Sequence, residues 1–323
     1  MSAPNAATAR AHANIALAKY WGKADVVENL PAVPSLSLTL AALSTRTHLE
    51  LDPALAADVL ELDGANASGR PLERVVTLLD RVRPEGAPRA RVSSTNDFPT
   101  AAGLASSASG FAALAVAANA AYGAGLSADA LSALARRSSA SAARSLFGGF
   151  VALPAGASSA ERVLAGADFP VSMLIAVTRS GPKEVDSTAG MKHTLATSPY
   201  YPAWVAHAPT LYAEVRRAVI ERDLELLGSA AEQSALMMHA SMFAARPALV
   251  YFTAATLAAM ETVRALRKRG TLAFYTMDAG PHVKVLTAPA DAALVERALA
   301  ETPGVLSVLA SGAGPDAVLE GAG

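Results

Sequence analysis

Four short stretches combine residue types that ordinary core or surface segments seldom bring together. Asn14-Ile-Ala-Leu-Ala-Lys19-Tyr20-Trp21-Gly22-Lys23 sets two lysines, a tyrosine and a tryptophan at the end of an apolar segment. Between Thr100 and Ser109 every side chain except Leu104 is small, so a bulky anion could approach the backbone closely. Ser138 to Ser145 is dense in hydroxyls around Arg144, whose planar fork matches a carboxylate or a phosphate. Asp278 closes an apolar run and is followed by Gly280-Pro281. A small-residue loop that feeds a helix presents free N–H groups and the positive end of the helix dipole, which together bind phosphate. Each stretch alone also has a plainer explanation: a solvated strand end, an N-capped helix, a helix terminus with a surface arginine, a turn-forming aspartate. Together, an anion loop, several cations and one aspartate fit phosphoryl transfer, in which a protein mainly positions groups and neutralises charge.

Other chemistries are set aside by inspection. There is no G-x-x-x-x-G-K-[ST], no His-Glu-x-x-His or histidine cluster, and no Gly-x-Ser-x-Gly. The absence of cysteine removes disulfides, thiolate metal sites and a cysteine nucleophile. A formal charge of −1 gives no global basic field for nucleic acid or an anionic membrane, so a polyanionic ligand has to meet a local cluster. The longest apolar run, Phe111 to Ala121, is too short to span a bilayer and contains Asn119, and the N-terminus shows no charged-then-apolar leader. The expectation is a soluble cytoplasmic protein that engages neither nucleic acid nor membrane.

The elements that would position these groups can be read from periodicity. At 323 residues, 52% of them hydrophobic, the chain is long enough for two domains with a cleft between them. Thr8 to Leu17, Ser35 to Leu40, Thr45 to Leu51 and Val59 to Leu62 alternate as strands, with Asp63-Gly64 as a turn. Pro71 to Val82 has helical spacing, Arg89 to Ser94 is a strand entering the small-residue loop, and Ser127 is placed to cap a further helix. Strands follow near Val151 and over Val171 to Val177. Thr178 to Ser198 reads as a loop with a short helix, marked by Gly181-Pro182 and Gly190, and the domain boundary is placed there, dividing residues 1–180 from 181–323. Beyond it come helices over Pro202–Arg222, Leu224–Met238 and Tyr251–Arg269, a strand over Leu272–Met277, a strand over Val283–Leu286, a helix over Ala290–Ala300 and a strand over Val305–Leu309. The class is α+β, with helices on one side of a small antiparallel sheet in the second half.

Pro99-Thr-Ala-Ala-Gly-Leu-Ala-Ser-Ser-Ala-Ser109 resembles the phosphate loop of the GHMP kinase superfamily. Asn14 to Lys23, Ser139 to Phe150 and Met277-Asp-Ala-Gly-Pro-His-Val-Lys-Val-Leu286 narrow the resemblance to the mevalonate diphosphate decarboxylase family, in order and over nearly the whole chain. The resemblance implies an α+β two-domain GHMP kinase fold, with a ribosomal protein S5-like N-terminal domain that binds ATP and a ferredoxin-like C-terminal domain. It also implies ATP-dependent decarboxylation of mevalonate 5-diphosphate to isopentenyl diphosphate, with ADP, phosphate and carbon dioxide, in isoprenoid biosynthesis. Asp278 would then be the base or orienting group on the 3-hydroxyl, Lys19 its neighbour and charge partner, and Arg144 the grip on the substrate carboxylate, oriented by Asn14. Tyr20, Lys23, Ser139, Ser141 and Ser198 would take the substrate diphosphate. Gly103, Leu104, Ala105, Ser106, Ser107, Ala108 and Ser109 would cradle the ATP phosphates, with Ser107 near Mg²⁺ and Lys183 closing from a loop. The family implies a homodimer.

Three positions depart from the family pattern: Pro199 stands where some members carry Arg, His282 where Asn is usual, and Ala143 where some have Cys. Loss of the arginine leaves open a decarboxylase or 3-kinase acting on mevalonate 5-phosphate or mevalonate. A nucleotide-binding regulator without catalysis is the reading of another class, and the joint presence of Lys19, Arg144 and Asp278 argues against it.

Overall fold

A computed structural model describes residues 5–98, 106–181 and 184–321. The chain opens with β1 (Ala6–Ala18), makes a small hairpin of β2 (Lys23–Asp25) and β3 (Leu30–Pro31), and returns as β4 (Ser35–Asp52). A hairpin of β5 (Val59–Leu62) and β6 (Ala65–Ala67) turns on Asp63 and Gly64, both with positive φ, 49° and 80°, as a tight hairpin turn requires. Then come α1 (Arg70–Leu79), β7 (Arg89–Asn96), α2 (Ser106–Ala121), α3 (Ala128–Ser138), a 3₁₀ turn over Ala140–Leu146, β8 (Phe150–Leu153) and β9 (Glu161–Leu164). Ser127 caps α3 as expected, accepting from the Ala130 N–H.

The second half contributes β10 (Ser172–Val177), four helices in succession, α4 (Ser187–Thr197), α5 (Tyr201–Glu221), α6 (Leu224–Phe243) and α7 (Ala254–Lys268), and then β11 (Ala273–Thr276) and β12 (Val283–Thr287). It ends in α8 (Ala292–Ala300), β13 (Ser307–Ser311) and β14 (Val318–Glu320). Among the described residues an eight-stranded sheet runs β14-β1-β4-β7-β5-β6, with β8 beside β4 and β9 beside β8, and a four-stranded antiparallel sheet runs β11-β12-β10-β13.

Ser35–Leu40 and Thr45–Leu51, expected as two strands, are one 18-residue strand. Leu40 to Leu43 bulge opposite Ala13, because Thr39 pairs with Asn14 and Ser44 with His12. The bend lets one strand serve two neighbours on the same edge: Ser35 to Leu38 pair with β8, and Thr45 to Asp52 with β7. β9 and β14 escape periodicity because they are only four and three residues long. β10 joins the second sheet and β14 returns to the first.

The core explains how the halves hold the cleft. Alanines of α2 (Ala112, Ala113, Ala115, Ala117, Ala118) are fully buried and let that helix lie close on the first sheet, beside Leu78 and Leu79 of α1 and Leu134 of α3. β10 alternates strictly. Met173 and Ile175 face Ile15, Leu17, Leu36 and Leu38 of the first sheet, with Val215 and Val219 of α5, while Leu174 and Ala176 face Val263 of α7 and Val295 and Leu299 of α8. The second sheet thus has α7 and α8 on one face and the first half of the chain on the other. That continuous apolar contact fixes the end of β1 against the β11–β12 hairpin.

Candidate active site

Lys19 follows β1 directly and is 1% exposed. Its Nζ donates to Oδ1 of Asp278 at 2.7 Å and to the Ala16 carbonyl at 2.7 Å, and its backbone N–H donates to Ser234 Oγ of α6 at 2.9 Å. Asp278 lies just past β11, with 29% of its side chain exposed. Its other oxygen, Oδ2, is 3.3 Å from Nζ of Lys284, a fully buried lysine of β12. Burial works against the Asp278 carboxylate, but the two ammonium groups outweigh it and hold its pKa well below the ordinary carboxylate range. Burial lowers Lys19 to about 8; Asp278 opposes that shift, while Lys284 and Arg144 add to it.

The loop carrying Asp278 is pinned from three sides. His239 of α6, fully buried, places Nε2 3.2 Å from the Asp278 carbonyl. Burial, with Lys19 adding to it, drives its pKa down to about 3, so the ring is neutral and can donate there. Thr178 and Thr256 hydroxyls both donate to the Pro281 carbonyl, at 2.9 and 2.7 Å. His282 accepts at Nδ1 from the Thr178 N–H at 3.2 Å. The histidine at this unusual position thus anchors the turn.

Arg144, 2% exposed on the 3₁₀ turn, donates through Nε to Ser37 at 2.9 Å and Asn14 at 3.3 Å, and through Nη1 to Ser35 at 2.6 Å. Asn14 in turn donates to the Ser141 carbonyl and to Ser145 Oγ, at 2.9 and 2.8 Å. Neutral partners set the fork, and among the described residues it has no carboxylate partner. Burial lowers Arg144 to about 10, with Tyr20 and Asp278 opposing, so it stays a cation near neutrality. A desolvated guanidinium with a fixed plane and no internal counter-ion is suited to an incoming carboxylate.

A second group of cations gathers at β2 and α1. Burial lowers Lys23, and Arg74 and Arg70 lower it further. Arg74 donates to the Ser138 carbonyl at 2.7 Å and stacks 4.5 Å over Phe111, and Arg70 pairs with Asp186, the cap of α4, at 2.8 Å. Ser139 and Ser141 lie 3.1 Å apart, hydroxyl to hydroxyl. Among the described residues the buried Tyr20 hydroxyl has no hydrogen-bond partner, and burial raises its pKa. Gly22, at φ 129°, passes so close to Tyr201 that a Cβ would run into the phenol, which brings the Ser198 end of α4 against the Tyr20–Lys23 segment. Ser198 itself is buried.

Of the expected nucleotide loop, Gly103, Leu104, Ala105 and Lys183 lie outside the described residues. Ser107 is exposed in the first turn of α2 and Ser106 half-exposed. The side chains of Ala108 and Ser109 are fully buried, so the ATP contact expected there would be one of the backbone. Ser109 Oγ is 2.6 Å from Thr45 Oγ1 of β4, because a helical turn that points Ser107 outward points Ser109 into the sheet. Sequence reasoning missed Lys284, Arg74 and His239. Lys284 carried a legible signal, a lone charge inside Val283-Lys-Val-Leu286; Arg74 looks like any exposed-face arginine of an amphipathic helix.

Residues 11–164 match the family model described as the diphosphomevalonate decarboxylase-like N-terminal domain, and residues 173–305 that of the mevalonate 5-diphosphate decarboxylase C-terminal domain. The chain is 36% identical to the diphosphomevalonate decarboxylase of Ganoderma lucidum over 311 residues, covering 87% of this chain and 78% of that one. It superposes on the mevalonate diphosphate decarboxylase of Staphylococcus aureus with a TM-score of 0.92 at 34% identity, covering 98% of each chain. With the enzyme from Enterococcus faecalis the TM-score is 0.89 at 39% identity, covering 98% of this chain and 99% of that one. A further structure, MDDEF in complex with MVAPP, AMPPCP and magnesium, gives 0.91 at 39% identity with the same coverage.

Proposed function

The chain belongs to the diphosphomevalonate decarboxylase family, and from that premise we propose how its residues divide the reaction. The fold is the two-domain α+β architecture of the GHMP kinases, and the activity is ATP-dependent decarboxylation of mevalonate 5-diphosphate in the mevalonate pathway. The 3-hydroxyl accepts the γ-phosphoryl of ATP, phosphate then leaves, and loss of carbon dioxide yields isopentenyl diphosphate. The observation that carries the assignment of roles is the meeting of Asp278 and Lys19 at 2.7 Å, within electrostatic range of Arg144, from three distant parts of the chain.

Asp278 receives the 3-hydroxyl. A carboxylate held so far below its ordinary range is a weak base, so it orients the hydroxyl by its proton and takes that proton late, as the new P–O bond forms. Such timing suits a loose phosphoryl-transfer transition state. Lys19 offsets charge on the phosphoryl oxygens. Arg144, set by Ser35, Ser37 and Asn14, holds the substrate carboxylate. Lys23, Arg74 and Arg70, with Tyr20, Ser139, Ser141 and Ser198, take the diphosphate, and Arg70 and Arg74 supply the cations that Pro199 does not. The triphosphate is assigned to the N-terminus of α2, and Gly103 to Ser109 and Lys183 are its proposed contacts. Among the described residues no three His, Asp or Glu side chains form a cation cage, so Mg²⁺ would take most of its ligands from the phosphates, and the exposed Ser107 hydroxyl fits one more. A homodimer and a cytoplasmic location belong to the same proposal, and sedimentation of the purified protein tests the first.

Mevalonate, its 5-phosphate and its 5-diphosphate, compared by release of ADP and carbon dioxide, test the function. The 5-diphosphate should give both products in equal amounts. A preference for the monophosphate overturns the substrate, and ADP without carbon dioxide makes the protein a kinase. Arg144→Gln should lower kcat/KM for mevalonate 5-diphosphate by about 10²–10³-fold, the worth of a desolvated charge-assisted contact. An unchanged Michaelis constant and rate in that variant remove Arg144 from the substrate site.

A further inference from the structure

Asp278 has two ammonium partners, and the reaction as assigned uses one of them. Lys19 holds Oδ1 at 2.7 Å; Lys284 lies 3.3 Å from Oδ2 and 3.5 Å from the His282 carbonyl. Lys284 pairs with Thr276 across the β11–β12 ladder, so the backbone that delivers Asp278 and the side chain that holds its second oxygen belong to one hairpin. Its neighbours Val283, Val285 and Leu286 are all buried. An ammonium placed there is costly to desolvate, and packed apolar groups in place of a buried ion pair are often neutral or stabilising. Stability alone therefore gives little reason for a lysine at this position.

We propose that Lys284 is a positioning residue for phosphoryl transfer: by holding Oδ2 it fixes the plane of the Asp278 carboxylate, so that the oxygen shared with Lys19 turns its remaining lone pair to the substrate hydroxyl. This rests on the reaction assigned above. Each carboxylate oxygen offers two lone-pair directions, and a carboxylate held at one oxygen only can rotate both out of line. With both oxygens engaged, rotation is blocked and one direction stays open to the cleft. The second ammonium also makes the centre two cations to one anion, matched to the negative oxygens of an incoming phosphoryl.

Lys19 reports on this arrangement. It is faced by Asp278 and Lys284 from the hairpin, by Arg144 from the 3₁₀ turn and by neutral His239 from α6. Removing the like charge of Lys284 has to make Lys19 hold its proton more tightly, which a packing defect does not do.

The experiment compares Lys284→Met and Lys284→Arg with the wild type in kcat, KM and pH profile at saturating ATP and mevalonate 5-diphosphate. Lys284→Met should lose about tenfold or more in kcat, with both Michaelis constants within about threefold, as fits a misoriented base rather than a lost contact. Its alkaline midpoint should move up by roughly half a pH unit or more. Lys284→Arg, which keeps the charge, should return that midpoint to the wild-type value. Lys284→Gln carries the same expectations as Lys284→Met if the latter does not fold. A folded neutral variant with wild-type kcat and an unmoved midpoint overturns the inference. So does equal loss in the Met and Arg variants with no shift, or failure of both neutral variants to fold, since either makes Lys284 a structural ion. A wild type that releases no carbon dioxide overturns the assigned reaction, whereas wild-type turnover with any of the preceding results removes only the role of Lys284.

Discussion

Asp278→Asn should lower the rate of decarboxylation by about 10²–10⁴-fold while leaving ATP affinity within a few-fold, because a positioned base is worth that much and the carboxylate is not a nucleotide contact. The amide keeps the shape of the side chain and removes two things at once: the acceptor for the hydroxyl proton and the anion between two buried ammonium groups. Lys19 and Lys284, at 2.7 and 3.3 Å, would then face one another uncompensated. Breaking such a buried pair costs about 3–5 kcal/mol of stability, so the variant has to be assayed below its own melting transition. Single-turnover release of carbon dioxide, with ATP binding by titration as the control, checks the prediction. Retention of more than about a tenth of the wild-type rate would show that Asp278 neither takes nor orients the proton.

Lys19→Met comes next in size, with an expected loss of about 10²–10³-fold, typical of a missing cation at developing negative charge. The pH profile separates its role from mere packing. Burial lowers Lys19 from the ordinary lysine value of 10.5 to about 8, so it is charged below that pH and progressively neutral above it. The wild type should therefore lose activity as pH rises through about 8, in a limb distinct from that of Arg144, which burial places at about 10. In Lys19→Met the residual activity should lack the limb near 8. A wild-type rate that stays flat from pH 7 to about 9.5 would mean that the protonated ammonium is not required.

The sequence was most informative where a periodic pattern met an interruption. Ser127 could be named as a cap, and Asp63-Gly64 as a turn, because each rests on local geometry that a few residues determine. Lys19 and Asp278 could be singled out because both interrupt apolar stretches, but they are 259 residues apart in sequence, and only the family resemblance joins them in advance. Lys284 interrupts an apolar stretch too, but that signal does not reveal which way the side chain points. A lysine in a short strand usually points to solvent, and its burial follows from the shared core that closes over β12, which no local window contains. Arg74 escapes notice because its placement depends on Phe111 and Ser138, which belong to α2 and α3. The continuous β4 was read as two strands because alternation fails over Leu40 to Leu43, where the bulge lies.

The pairing of β14 with β1 constrains how the molecule is made. Thr8 lies opposite Glu320, and Glu320 clamps Arg10, 310 residues away in sequence, together with Arg46. During synthesis β1 and β4 can zip together early, but the outer edge of β1 stays open until almost all of the second half has left the ribosome. An unpaired strand edge invites pairing with other chains, and contacts this distant are slow to close. The same short strand that completes the sheet therefore sets the interval during which the nascent protein is most exposed to misassembly.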